Sequence, residues 1–266
     1  MAVTIKPISN TSKKDLKRFI LFNYKLYRHN KYAVPEMYDD LMSVFMPSRN
    51  AAYEFCDAQF FLAYRDSKVV GRVAAIINHR YNEQWERKAV RFGWLDLVDD
   101  ADVMKALLTA VEDYGRRNGM TEIIGPLGFT DMDPEGMLIE GFDQLGTMAT
   151  IYNHDYYPRL MEQMTGYEKD NDYVEYKAFV PKGDMPEKFS KVAQMVEKRY
   201  NLHCPKLKRS QVFGPEQYGQ KVLDVVNKTF GDLYGYSQMT QRQIDQYVHE
   251  FISLDGNIAL EEEYEG

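Results

Sequence analysis

Between Gly125 and Tyr157 the chain carries six acids, Asp131, Asp133, Glu135, Glu140, Asp143 and Asp155, and no lysine or arginine. A one-signed group of carboxylates among tyrosines can select an ammonium ion. A carboxyl shielded from water can then take the proton as the amine becomes a nucleophile. Glu140, set among Leu138, Ile139 and Phe142, is the acid best placed for that proton transfer, with Tyr156 as the second catalytic group. Asp131, Asp133, Asn153 and Phe129 would bind the amine. Two plainer readings stand beside these: Glu140 as a structural carboxylate bonded to loop amides, and the other acids as solvated turn formers.

Other chemistries find less support. Asp131-Met-Asp-Pro-Glu-Gly136 matches the opening of a calcium loop, but its twelfth position is Phe142 where a bidentate glutamate is required, so no metal is expected. The histidines at 29, 79, 154, 203 and 249 have no zinc-binding spacing. His154 alone lies in the acidic stretch, where it reads either as a surface residue or as a catalyst. No nucleophile elbow, P-loop or dinucleotide-binding glycine motif occurs.

The acidic stretch is a connection of some thirty residues, and its apolar members, from Phe129 to Ile151, need burial, so it is expected to be ordered. Around it, alternation predicts a strand at Val3–Ile8, and helices follow at 12–27 and 36–45. Residues 58–64 and 69–78 form a hairpin across Arg65–Lys68, the second arm being apolar enough for the middle of a sheet. A strand at 92–98 precedes a helix whose apolar residues recur from Val103 to Tyr114 and which stops at Asn118-Gly119. A strand at 121–124, a helix at 157–164 and a strand at 173–180 complete this part, and Lys182–Pro186 marks a boundary. Beyond it come helices at 187–200, 215–230 and 240–254, with a strand at 207–212. Lys206, Lys208 and Arg209 form a small basic run at that strand's edge.

A net charge of −7 argues against a general grip on nucleic acid or anionic membrane. Two distant cysteines, Cys56 and Cys204, favour a reducing compartment, and the absence of a signal core or membrane-length apolar run makes the cytoplasm the expected location.

The order of elements over residues 3–180 resembles the GNAT superfamily of acyl-CoA-dependent N-acyltransferases. Arg65-Asp-Ser-Lys-Val-Val-Gly-Arg-Val-Ala-Ala is similar to that superfamily's hairpin, and Asn153–Tyr167, ending in Gly166-Tyr167, to its late helix. GPLGFTDMDPEGMLIEGFD with YNHDYYP resembles a group of bacterial proteins built from two GNAT-like halves. The resemblance implies an α/β (α+β) fold with a mixed, largely antiparallel sheet flanked by helices. It implies a GNAT-like domain at 1–183, an incomplete second unit at 184–266 through which the protein could oligomerise, acetyl-CoA or another acyl-CoA as donor, and a small-molecule amine as acceptor. The sequence departs from the pattern where the donor's pyrophosphate would rest: in place of a glycine-rich turn stands Val98-Asp-Asp-Ala-Asp102, whose carboxylates would cap the helix amides and repel a diphosphate. Glu162 stands where the superfamily often carries a tyrosine acid. Two readings follow, an N-acyltransferase-like enzyme or a GNAT-like ligand-binding or assembly module without cofactor binding.

Overall fold

Eleven consecutive residues from Lys68 to Asn78 form a strand that is buried from Gly71 onward, because it lies in the middle of a sheet covered on both faces. A computed structural model of the chain describes residues 2–179, 182–183, 186–202 and 208–250. In it β1 (Thr4–Ile8), β2 (Cys56–Arg65), β3 (Lys68–Asn78), β4 (Ala89–Leu97) and β5 (Glu122–Ile124) pair in sequence order. All neighbours run antiparallel except β4 and β5. The β2–β3 turn needs only Asp66 and Ser67, both at positive φ, which matches the right-handed twist of the arms.

On one face, α1 (Lys13–Leu26) and α2 (Tyr38–Phe45) bury Leu16, Phe19, Ile20, Leu41 and Phe45 against Phe60, Leu62, Ala74 and Ile76. On the other, α4 (Ala101–Arg117) and α5 (Tyr156–Met161) lay Val103, Leu107, Val111 and Leu160 on Val73, Ala75, Phe92 and Leu97. A side chain at Gly71 would strike Leu107 and Val103 within 3 Å, so this glycine lets α4 approach β3. The expected mixed sheet flanked by helices is therefore present, with the short α3 (His79–Gln84) added after β3.

The described residues fall into two compact units, one built from residues up to Asn171 together with Val226–Gln246, the other from the remainder. In the second, α6 (Glu187–Tyr200) has no buried residue and exposes Phe189, Met195 and Tyr200. α7 (Arg209–Phe213) stands where a strand was expected; its Arg209 and Ser210 open a helical turn, and Leu207 lies outside the described residues. Val212 and Val248 pack closely on Gly219 of α8 (Tyr218–Thr229). Residues 241–250 are helical, and 251–254 lie outside the described residues. The expected strand at 173–180 is not formed over 173–179: Tyr173, Val174, Tyr176 and Phe179 are exposed, and alternation alone cannot make a strand without an edge to pair with. No helix among the described residues is long and apolar enough to cross a membrane.

Candidate active site

Parallel pairing of β4 with β5 covers only Ala89 to Arg91, after which β4 continues to Leu97 paired with β3 only. At the point of separation β4 bulges: Gly93 and Asp96 face Ala74 and Arg72, so one extra residue is accommodated, and Trp94 takes φ +46°. A left-handed tryptophan is costly and persists because its ring is fixed against Phe45 and Phe129, with centroids 4.9 and 5.8 Å away. Such bulges re-aim side chains beside active sites.

Two carboxyls gather here that sequence spacing does not relate. Glu36, on the α1–α2 connection, is pushed up to about 7 by burial, opposed by Arg72 and reinforced by Asp96 and Asp40. The Trp94 indole N–H is buried without a hydrogen bond of normal geometry, yet lies near enough to offset part of that rise. Asp133 is likewise pushed up to about 7, first by burial and then by Glu36, against the amides of Thr130 and Phe129. Its residue as a whole is only half-buried, but its carboxyl is enclosed, with Oδ2 accepting from Thr130 N at 3.1 Å. A Cβ at Gly128 would come within 2.2 Å of the Asp133 Cβ, so the glycine is what lets this acid lie against the chain.

Beneath these acids is a buried polar network. Arg72 Nε and Nη2 both reach Asp96 Oδ2 at 2.7 Å, and Asn23 donates to the same oxygen at 3.0 Å. Asp96 Oδ1 lies 3.2 Å from the Tyr27 hydroxyl and 3.3 Å from that of Tyr157. Burial and then the Asp96 charge raise both tyrosines well above their ordinary range, so both stay protonated. Leu97 N donates to the Tyr157 hydroxyl at 3.0 Å, and the Tyr156 hydroxyl donates to Leu97 O at 2.7 Å. His154 stacks between Tyr27 and Tyr156, with centroids 4.8 and 5.1 Å away. Beside this stack opens a cleft of about 440 Å³ whose lining includes His29, Tyr32, Phe142, Tyr152, His154 and Asp155.

The residues singled out by sequence are dispersed. Phe129 is fully buried in the core, and its carbonyl accepts from Asn78 at 2.9 Å. Asn153 spends its amide on Leu138 N, Leu138 O and His154 O, bracing the loop. Glu140 is exposed, so the shielding from water that made it the expected base is absent; Leu138 and Ile139 do not close over it. Tyr156 is half-buried with its hydroxyl on β4, and burial raises its pKa. Asp131 is raised by burial, against its own amide and Arg91, and its Oδ1 is buried without a hydrogen-bond partner. None of these residues lines the cleft. Glu36, Trp94, Arg72 and Asp96 were missed, and the buried charges within apolar strands, Arg72 and Asp96, were the available signal.

The site loop is also held from outside the expected domain. Arg91, fully buried, donates to Gly128 O at 3.2 Å and to Gly235 O at 3.0 Å, and Asn78 joins Phe129 O to the Ser237 hydroxyl. Trp85 Nε1 donates to Tyr236 O at 3.0 Å. Residues 226–246 therefore form a strap on the first unit.

The α4 N-terminus does not fit a diphosphate. Asp100 Oδ1 accepts from Asp102 N and Val103 N at 3.0 and 3.4 Å, Arg65 pairs with Asp100 at 2.8 Å, and Arg159 with Asp99 at 2.6 Å.

No family model matches the chain. A bacterial ceramide synthase of Caulobacter vibrioides (strain NA1000 / CB15N) is 28% identical over 258 residues, covering 92% of this chain and 65% of that protein. Protein YghO of Escherichia coli (strain K12) is 25% identical over 245 residues, covering 91% of this chain and 59% of that protein. The chain thus spans about three fifths to two thirds of the length of these curated relatives. Among solved structures, AAC(6')-Iy with a bisubstrate analog is 14% identical with a TM-score of 0.41, covering 68% of this chain and 100% of that one. A tandem GNAT protein from the clavulanic acid biosynthesis pathway is 12% identical with a TM-score of 0.37, covering 46% and 35%. It is the strand order, the bulge in β4 and its departure from a short parallel β5 that give the first unit a GNAT-like fold.

Proposed function

We propose that the chain is the acceptor-activating part of an N-acyltransferase, which joins an acyl group carried as a thioester to an amine, with Glu36 as general base. The observation that carries this reading is half-buried Glu36, whose carboxyl is shielded enough to be held near 7 beside the β4 bulge, since a base of that pKa is half ionised at neutral pH. Asp133 and Asp131 draw the ammonium form toward the site. Glu36 takes one proton from it, the neutral nitrogen attacks the thioester carbonyl, the carbon–sulfur bond breaks, and the sulfur leaves as a thiol with the second proton that the nitrogen gives up on becoming an amide. His154 lines the approach, stacked on Tyr156, whereas exposed Glu140 and the committed amide of Asn153 take no chemical part. Support comes also from the relative named a ceramide synthase, whose product is an amide of a long-chain amino alcohol. The donor proposed is acetyl-CoA or a longer acyl-CoA, and the acceptor a small-molecule amine, with a long-chain amino alcohol the first to try.

The test is amide formation followed by mass spectrometry with acyl-CoA and such amines. Glu36→Gln should lower kcat by about 10² or more, the usual contribution of a general base, while the protein stays folded. A variant as active as the parent would remove Glu36 from the chemistry.

The capped α4 favours a second reading, a GNAT-like ligand-binding or assembly module without cofactor binding. Amine binding without any amide product would select it. Under either reading we propose a cytoplasmic protein that takes neither nucleic acid nor membrane as partner, with residues 184–266 belonging to a second GNAT-like unit. The exposed face of α6 offers that unit a surface for oligomerisation.

A further inference from the structure

We infer that this unit's own carboxylates fill the place where a nucleotide diphosphate would rest, so the donor is recognised by its acyl-pantetheine portion and gains nothing from the nucleotide. This rests on the N-acyltransferase reading for its donor, but its geometry stands independently. α4 is 17 residues long, and its N-terminal dipole and amides would ordinarily favour an anion. Here three of those amides are engaged: Asp102 N and Val103 N on Asp100 Oδ1, and Met104 N on Asp100 O at 3.2 Å.

The cations are committed as well. Arg65 lies 2.8 Å from Asp100 and 3.9 Å from Asp102, and Arg159 lies 2.6 Å from Asp99. Three carboxylates against two guanidiniums leave the turn negative, and Asp102 is 85% exposed, facing any approaching phosphate. An anion seated on the amides of Asp102 and Val103 would have to displace Asp100 from them and face the exposed Asp102 carboxylate.

The intact chain is titrated calorimetrically with CoA, pantetheine and inorganic pyrophosphate. CoA and pantetheine should bind within about threefold of each other, and pyrophosphate should give no heat at millimolar concentration. CoA binding about tenfold or more above pantetheine overturns the inference. Failure of both ligands overturns recognition through the pantetheine portion and counts against the acyltransferase reading as well, whereas a tenfold preference for CoA overturns this inference alone, so the two can fail separately.

A second arm uses Asp100→Gly with Asp102→Asn, since glycine is a tolerated N-cap and Arg65 is released. The folded double variant should gain about tenfold for CoA and for pyrophosphate but not for pantetheine. A folded variant without that gain overturns the assignment of the closure to these carboxylates. If the double variant does not fold, Asp102→Asn alone, at an exposed position, should still give a smaller gain for CoA over pantetheine. Its absence would count against the inference in the same way.

Discussion

Asp96 Oδ2 receives two nitrogens of Arg72 at 2.7 Å each, and the residues are only 5% and 1% exposed. Arg72 also donates to Phe19 O at 3.0 Å, with its guanidinium over the Phe19 ring, so the pair joins β3 and β4 to α1. Breaking one partner of a buried pair strands the other's charge. Asp96→Asn should therefore cost about 3–5 kcal/mol in denaturant unfolding. An unchanged midpoint would mean that water reaches Arg72.

Glu36 provides a stability test with a defined sign. Its carboxyl has an ordinary value of 4.5 and is raised to about 7 in the fold, so its contribution is fully present below 4.5 and is lost as pH rises through 7. Glu36→Gln should gain on the order of 2 kcal/mol over the parent at pH 8, roughly 5 °C in Tm, and nothing near pH 4.5. The measurement is thermal unfolding of both proteins from pH 4.5 to 8. A pH-independent gap would show that Glu36 is not buried.

Asn153 and Glu140 should behave oppositely. Asn153→Ala leaves Leu138 N and O unsatisfied and should cost about 1–3 kcal/mol, with faster hydrogen exchange at Leu138. Glu140→Gln, at an exposed position, should stay within about 0.5 kcal/mol. Destabilisation by Glu140→Gln would show that it braces the loop.

Limited proteolysis tests the strap. Sequence alone points to a resistant core ending near residue 180, but Arg91, Asn78 and Trp85 all use groups from Gly235 to Ser237. Native mass spectrometry of the core should find a peptide containing 226–246 still bound to residues 1 to about 180, because losing it leaves the fully buried Arg91 short of an acceptor. A core free of that peptide would remove the strap from the fold.

Ala75 is fully buried on β3, between β2 and β4. Ala75→Asp should abolish folding by placing an unpaired charge in the core, and a soluble variant with an unchanged Tm would contradict the central position of β3.

Local pattern determined most of the scaffold. The apolar run of β3, the hairpin at Arg65–Lys68, the spacing of α4 and its stop at Asn118-Gly119 each lie within one element, where periodicity and turn chemistry act at short range. The strand predicted at 173–180 failed for the complementary reason, since alternation supplies a face but not a partner. The site was decided by the tertiary structure. Glu36 looks in sequence like an acid opening a helix, whereas the fold places it before α2, near Trp94 and Asp133. Tyr27 meets Tyr157 across 130 residues, and Arg91 reaches Gly235 across 144. Burial, charge proximity and ring stacking are properties of space and not of sequence separation. That is why Glu140, among apolar neighbours in the chain, lies in water, while Glu36, beside a proline and a methionine, is half-buried with its carboxyl shielded.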